Sequence, residues 1–390
     1  MARLLVGTRK GTFIVEKASG QWRPRLSGHP GQGVNVVARD PNSGTLWALL
    51  GHGHWGAKLS RSDDDGATWK DNEAQIKYPA GARYYSQDMV EDTSSDFGVS
   101  WKVGMKDATV QKLWAIGFGR PGEIHIGTIP GGLFTSRDGG QSFALNLALW
   151  NHESRGGDLF SGEGAGDTKW FGTPASEGGD FAPGIHSIEV DPRNPDRILV
   201  AVSTAGVIET TDGGLTWHAR NKGMKLDHQP DEDAEWGHDT HHIQMCSGAP
   251  DHVWQQNHVG VYTSGDGAQT WKKVSAPDAG VHFGFPVATD SRDGRVAWVL
   301  PGHSDMQRMT IGGGLFVGRT KDGGETWEQL RNGLPQEHAY DVVYRHALAA
   351  DCDLVAFGST TGNLFVSEDH GDSWQVVANY LPPIYSVRVG

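Results

Sequence analysis

The chain of 390 residues holds 34 lysines and arginines against 47 aspartates and glutamates, for a formal net charge of −13 at pH 7. That charge argues against a nucleic-acid partner, because phosphates bind to a basic surface. No apolar run approaches the length that spans a bilayer and no signal peptide is visible, so we expect a cytoplasmic protein without a membrane partner.

The first elements predicted along the chain are strands of a four-stranded unit whose own first strand does not precede them in the sequence. Residues 3–8 and 12–16 are rich in β-branched and apolar residues, and Gln21-Trp22 would begin a further strand. They correspond to the second, third and fourth strands of a four-stranded unit. Residues 385–389, at the far end of the chain, look like its missing first strand. Further strand pairs are predicted at 34–39 with 45–50, 185–190 with 198–203, and 341–345 with 354–358.

A short motif, Ser/Thr-x-Asp-x-Gly-x-Ser/Thr-Trp, occurs six times between these strands. Its aspartates are Asp64, Asp138, Asp212, Asp266, Asp322 and Asp369. Two copies depart from it, with Phe143 in place of Trp and Ala268 in place of Gly. Asp can accept hydrogen bonds from backbone amides two residues on, and Gly allows the positive φ of a hairpin turn. The motif therefore predicts a tight β-turn, and its recurrence predicts a repeat fold.

The motif resembles the Asp-box, or BNR, repeat of sialidases, sortilin-type receptors, xyloglucanases and photosystem assembly factors. In those families the box is a structural turn between the third and fourth strands of a propeller blade, which implies that its Asp and Trp are scaffold. The whole chain resembles bacterial BNR/WD40/YVTN-like repeat proteins, often labelled sialidase-like or glycosyl hydrolase-like. The strings that carry this second resemblance are residues 7–11, 220–223 and 255–262.

Counting the motifs predicts an all-β fold, a seven-bladed β-propeller formed by residues 1–390 as one domain. Six motifs give six blades, and the seventh is split between residues 1–28 and 383–390. Pairing the two chain ends closes the ring and removes an exposed sheet edge. Long insertions at about 70–112, 144–184 and 218–240 precede first strands, so we expect them on the face opposite the motif turns, where binding residues usually lie.

Aligning the blades predicts a ring of side chains at the mouth of the central channel on that face. Counting five residues back from the Asp after the first strand gives Asn35, His186 and Phe285, and blade order adds His242, Asp341 and Tyr385 or Ser386. The tips between second and third strands add His52, His54, His258 and His303, while His238 and His241 enter from an adjacent loop. We expect the substrate to contact Asn35, His52, His54 and Tyr385.

This clustering of histidines is the strongest functional signal in the sequence, and it has three interpretations. The first is a divalent metal site formed by His186, His242, His258 and His303, with Asp239, Asp305 and Asp341 as the nearest carboxylates. The second is metal-free acid–base catalysis by His186, His242 and Asp341. The third is that each histidine is a hydrogen-bonded channel or loop residue.

Two classes of function follow from these interpretations. One is a hydrolase or lyase with a His-rich site, acting with or without a metal ion, that takes a small molecule or carbohydrate at the channel mouth. The other is a non-catalytic propeller that binds a protein or a carbohydrate, as assembly factors do. True sialidases carry an arginine triad for the substrate carboxylate, and none of the predicted ring positions is arginine. The sequence therefore does not favour the sialidase mechanism.

Overall fold

The computed structural model describes residues 2–52, 56–91, 94, 99–160, 168–170, 173–174, 181–226 and 231–390. Seven of its four-stranded antiparallel sheets form the blades of a β-propeller, with their first strands side by side around the central channel. The predicted fold class is confirmed. We number blades one to six in the order of the motifs and call the split blade seven.

Each blade runs from an innermost first strand to an outermost fourth strand. Blade one comprises Gly33–Arg39, Leu46–His52, Gly56–Ser62 and Lys70–Asp71. Blade two comprises Lys112–Phe118, Ile124–Ile129, Leu133–Ser136 and Ala144–Leu145. Blade three comprises Ile185–Val190, Ile198–Val202, Gly206–Thr210 and His218–Ala219. Blade four comprises Thr240–Met245, Val253–Asn257, Gly260–Ser264 and Lys272–Lys273. Blade five comprises Gly284–Thr289, Ala297–Pro301, Val317–Thr320 and Glu328–Leu330. Blade six comprises Leu348–Asp351, Leu354–Gly358, Leu364–Ser367 and Gln375–Ala378.

Blade seven joins the two ends of the chain, as predicted. Its first strand, Ile384–Val389, pairs antiparallel with Arg3–Thr8, which is followed by Gly11–Ala18 and Gln21–Gly28. The pairing sets Val387 opposite Val6, and both side chains are fully buried. The ring is therefore closed by backbone hydrogen bonds between segments from opposite ends of the sequence.

The prediction of a strand at 341–345 is wrong. The first strand of blade six is Leu348–Asp351, which pairs Leu348 with Phe357 and Asp351 with Leu354. The β-branched residues at 342–343 favoured the earlier segment, but the pairing partners in Leu354–Gly358 select the alanine-rich one. The error displaces the predicted ring position of this blade.

All six motifs form the turn between the third and fourth strands that the resemblance implied. In the first, the Ser62 hydroxyl donates to Asp64 Oδ1 at 2.8 Å and accepts from the Gly66 amide at 2.9 Å. Asp64 Oδ1 also accepts from the Thr68 amide at 2.8 Å, so the aspartate reaches four residues on rather than two. The other five turns repeat these bonds.

Acid should weaken these turns together. Hydrogen bonds from neighbouring hydroxyls and amides hold the pKa of Asp64, Asp138 and Asp322 at about 2, below the ordinary 3.8. A carboxyl whose folded pKa is depressed stabilises the fold above its unfolded pKa and loses that contribution as the pH falls through the folded one. We expect the urea midpoint to fall steeply between about pH 4 and about pH 2. A variant with Asn at all three positions should have a lower urea midpoint at neutral pH, and its midpoint should change less with pH between about pH 4 and about pH 2. If the midpoints of the variant and the wild type fall equally with pH, these aspartates are not the source of the acid sensitivity.

The predicted insertions contain an eighth four-stranded sheet that the sequence did not reveal. It takes Arg83–Glu91 and Val99–Asp107 from the first insertion and Thr173–Pro174 and Phe181–Ala182 from the second. The two halves meet where Phe181 pairs with Gln87. The helices are short: the α-helix Leu147–Trp150 and the 3₁₀ segments Glu153–Arg155, Pro277–Ala279 and Ile311–Gly313. No helix in the described ranges is long and apolar enough to cross a membrane.

Candidate functional site

The innermost strands of all blades except blade six carry a β-bulge near their start, on the face opposite the motif turns. A bulge changes the direction of the extra residue's side chain relative to its neighbours in the strand. The extra residues include the predicted Asn35, His186, Phe285 and Tyr385, while the register shift in blade four falls at His241 and not at His242. Counting five back from Asp351 in the corrected strand of blade six gives His346 in place of Asp341. The residues at this level, here called the channel ring, are Asn35, Trp114, His186, His241, Phe285, His346 and Tyr385.

The histidines predicted to be catalytic are packed inside the channel. His186 is fully buried against the Trp114 ring, with Nδ1 3.1 Å from the Ser187 hydroxyl. His242 Nδ1 lies 3.1 Å from the Val287 carbonyl oxygen of the next blade. Burial lowers the pKa of His186 far below its ordinary value and that of His242 to about 3, so both rings are neutral. This arrangement corresponds to the third interpretation, in which histidines are hydrogen-bonded channel residues.

His346 crosses the channel instead of facing its mouth. Its Nε2 lies 2.6 Å from the carbonyl oxygen of His186, which belongs to blade three. Its ring also contacts that of His242, with centroids 5.6 Å apart. The buried imidazoles of His242 and His346 are therefore packed against each other inside the channel.

The remaining predicted residues are dispersed. Asp341 is buried and accepts hydrogen bonds from the Thr361 hydroxyl and, at 2.8 Å, from Asn363 Nδ2. Asn35 Nδ2 donates to the Leu113 carbonyl oxygen at 3.0 Å. Tyr385 is half-buried beside Tyr344.

The predicted histidines of the hairpin tips do not gather around one point. His303 is exposed, and its amide donates to the Met309 carbonyl oxygen at 2.9 Å. His52 ends the second strand of blade one, and His54 lies outside the described residues. Of the four predicted metal ligands, only His258 belongs to a cluster of metal-ligand type within the described part of the chain.

That cluster, here called the Asp–His–His cluster, consists of Asp239, His241 and His258. Asp239 precedes the first strand of blade four, His241 occupies its bulge, and His258 lies at the tip between the second and third strands. The His258 amide donates to the Asp239 carbonyl oxygen at 2.8 Å, which ties the tip to the strand entry. One ligand-type atom from each of the three side chains lies within 4.8 Å of the other two.

Both imidazoles point one nitrogen at the same carboxylate oxygen. His241 Nε2 lies 3.5 Å and His258 Nδ1 3.4 Å from Asp239 Oδ2. The other nitrogen of His241 donates to the Gly284 carbonyl oxygen at 2.6 Å, and His258 Nε2 lies 3.7 Å from Asp305 Oδ2. Outer nitrogens held by a carbonyl or carboxylate and inner nitrogens directed at a shared point are typical of metal-ligating histidines.

The charge states of the cluster suit a cation. Burial alone would raise the pKa of Asp239, but His241, His258 and Arg345 outweigh it and hold this pKa well below its ordinary value. Burial lowers the pKa of His241, so its ring is neutral. One carboxylate and two imidazoles form a ligand set that zinc, manganese and iron accept.

Aromatic rings form the wall beside the cluster. Phe285 stacks on His241 with ring centroids 4.9 Å apart, and Phe283 packs edge-on against both histidines at 5.7 Å. Both rings also line a small pocket. Its lining comprises Phe283, Phe285, Leu300, Pro301, Gly302, Arg308, Leu315, Asp341, Val342 and Val343.

Arg345 is a residue of the channel mouth that the sequence did not single out. It precedes His346, and its guanidinium carbon lies 5.3 Å from the ring centroid of Trp114 and 5.3 Å from that of Phe285. The wrong strand assignment in blade six concealed it. The counting rule, applied to Asp351, would have placed it next to the channel ring.

Fold and site together define a class: a seven-bladed β-propeller with a two-histidine, one-carboxylate cluster beside the channel mouth. No protein-family model matches the chain. A stretch of 173 residues, 41% of this chain, is 28% identical to an oligoxyloglucan-reducing end-specific xyloglucanase from Emericella nidulans and covers 19% of that protein. The chain thus spans about a fifth of the length of this curated relative.

Solved structures share the fold at low identity. The GH74 enzyme of Niastella koreensis superposes with a TM-score of 0.54 at 16% identity, covering 98% of this chain and 65% of that one. An ancestral GH74 enzyme gives 0.54 at 17% identity, over 92% of this chain and 40% of that one. YCF48 from Cyanidioschyzon merolae superposes with a TM-score of 0.50 at 11% identity, covering 90% of this chain and 87% of that one. These similarities show the propeller fold.

Proposed function

We propose that the protein is a carbohydrate-acting hydrolase or lyase whose reacting centre is a divalent metal ion held by Asp239, His241 and His258. The convergence of these three side chains is the observation that supports a metal centre. The carbohydrate substrate class is drawn from the names of the similar proteins, a xyloglucanase and GH74 enzymes.

The residues around the ion would have separate tasks. A divalent ion polarises a substrate oxygen or acidifies a water. The Gly284 carbonyl fixes the orientation of His241, and Asp305 orients His258 from its outer side. Phe283 and Phe285 exclude water from one side of the cluster. The side chain of Asp239 is 24% exposed and that of His258 31%, so a substrate can approach these two ligands from solvent.

Metal analysis tests this proposal directly. We expect one divalent ion per chain after reconstitution, and a rise in the free energy of unfolding of about 2.7 kcal/mol when the metal is at about a hundred times its Kd. His241→Ala and Asp239→Asn should each weaken metal binding by about a hundredfold or more. His303→Ala, at an exposed histidine outside the cluster, is the matched control and should bind like the wild type. Absence of stoichiometric metal, or equal loss in the control, would contradict the proposal.

Activity separates the enzyme from the alternative of a non-catalytic propeller. Neutral and acidic oligosaccharides are incubated with the metal-loaded protein, and the products are analysed for new reducing ends and for unsaturated sugars. A hydrolase gives the first without the second, and a lyase gives both. Binding without any product would favour the non-catalytic alternative.

A further inference from the structure

Two cations share one aromatic ring at the channel mouth. Lys112 begins the first strand of blade two, and its ammonium lies 4.9 Å from the Trp114 ring centroid. The Arg345 guanidinium, which enters from blade six, lies 5.3 Å from the same centroid. Within the described ranges, neither side chain has a carboxylate within ion-pair distance, and Arg345 Nε is buried without a hydrogen-bond partner. Neither cation is therefore directly paired within the described ranges, although the charge of the Asp239 carboxylate acts on Arg345 from beyond ion-pair distance.

Holding two partly buried cations beside one ring costs free energy. Burial, together with the positive charge of Arg345, lowers the pKa of Lys112 to about 8. Burial lowers the pKa of Arg345 to about 10. A single cation over a tryptophan stabilises packing, but a second one beside it adds repulsion and a further loss of hydration. An anion placed between the two cations would offset this repulsion.

The cation pair borders the Asp–His–His cluster. Arg345 lies 5.3 Å from the Phe285 ring centroid, and His241 stacks on that same ring at 4.9 Å. Arg308, from the loop between the second and third strands of blade five, adds a further guanidinium 5.6 Å from it. A ligand at the cluster would therefore place its neighbouring groups beside positive charge.

We propose that Lys112 and Arg345 bind the anionic group of the substrate, so that the saccharide is an acidic one carrying a carboxylate or a sulfate. A planar guanidinium matches the two oxygens of such a group, and the ammonium adds a point charge. The proposal deepens the proposed function and rests on its assignment of a saccharide to this face. It concerns recognition, so it does not depend on the metal being present.

The test is calorimetric binding of three probes of equal length: a digalacturonate, a neutral digalactoside and a sulfated digalactoside. We expect the wild type to bind at least one charged probe about tenfold or more tighter than the neutral one. The charged probe that binds more tightly shows whether the site prefers a carboxylate or a sulfate. Lys112→Met and Arg345→Gln should each remove that preference. Lys273→Met and Arg331→Gln are matched controls, since both remove a cation stacked on an aromatic ring elsewhere, and they should retain it.

Two further measurements keep the outcomes apart. Binding is repeated on chelated protein and on His241→Ala, where the preference for the charged probe should persist even if the metal proposal fails. The thermal midpoint of ligand-free Lys112→Met should rise, because one of two repelling charges is gone. Equal binding of charged and neutral probes, no binding of either charged probe, or a lowered midpoint in Lys112→Met would each overturn the proposal.

Discussion

Deleting residues 384–390 should leave no cooperatively folded protein. Ile384–Val389 supplies the first strand of blade seven, and its Ile384 and Val387 side chains are fully buried. Each contributes about 1.5–3 kcal/mol by burial, and the deletion also exposes the edge of Arg3–Thr8 with its buried Leu4 and Val6. The total loss is about 5–10 kcal/mol, comparable with the whole stability of a typical domain.

Circular dichroism and size-exclusion chromatography measure this effect. Val387→Asp should reproduce most of it, since it buries an unpaired charge in the same strand. Tyr385→Phe, at a half-buried position of that strand, is the control and should elute and melt like the wild type. A deletion variant with a cooperative melt near the wild-type midpoint would show that the closure contributes little.

Gly333→Ala should destabilise the fold by about 2–5 kcal/mol. Gly333 has φ of +86°, and a Cβ there would lie 2.1 Å from the carbonyl oxygen of Trp374, the tryptophan of the last motif. The left-handed conformation costs an alanine about 1–2 kcal/mol, and moving the backbone of blade six away from the methyl costs about 1–3 kcal/mol more. Gly223 stands in the same relation to Trp271, at 2.3 Å. These glycines therefore seat one blade against the next.

Gly323→Ala separates the two contributions. Gly323 has φ of +79°, but no atom lies within 4 Å of the position of its Cβ. It should lose only the conformational part, about 1–2 kcal/mol. Urea denaturation of both variants gives the comparison. If Gly333→Ala and Gly323→Ala lower the free energy of unfolding equally, the contact with Trp374 is not the reason for glycine at position 333.

The repeated motif made the fold predictable because it is local. Its hydroxyl, carboxylate and glycine lie within eight residues and form the same turn wherever they occur, so counting them located the blades and the split closure. The strand of blade six was not predictable in this way. Its Leu348–Asp351 sequence has weak β-propensity, and its identity depends on pairing with Leu354–Gly358.

The candidate site was predictable only in part, for a similar reason. Counting hairpin tips identified His258 and placed Asp239 beside it. The choice of His242 over His241 failed because a bulge shifts the strand by one residue, and a shift of one turns a side chain to the other face. The first strand of blade four is followed by Cys246, in place of the Asp from which the ring position is counted in blades one, three and five. Arg345 was missed through the same displacement in blade six.

The eighth sheet constrains how this chain can vary. Arg83–Glu91 and Val99–Asp107 come from the insertion before blade two, and Thr173–Pro174 and Phe181–Ala182 from the insertion after it. Shortening either insertion alone would remove the pairing between Phe181 and Gln87 and leave the remaining hairpin with an unpaired edge. Among descendants of a common ancestor, the two insertions should therefore be inherited or lost as a unit, although the whole of blade two separates them in the gene.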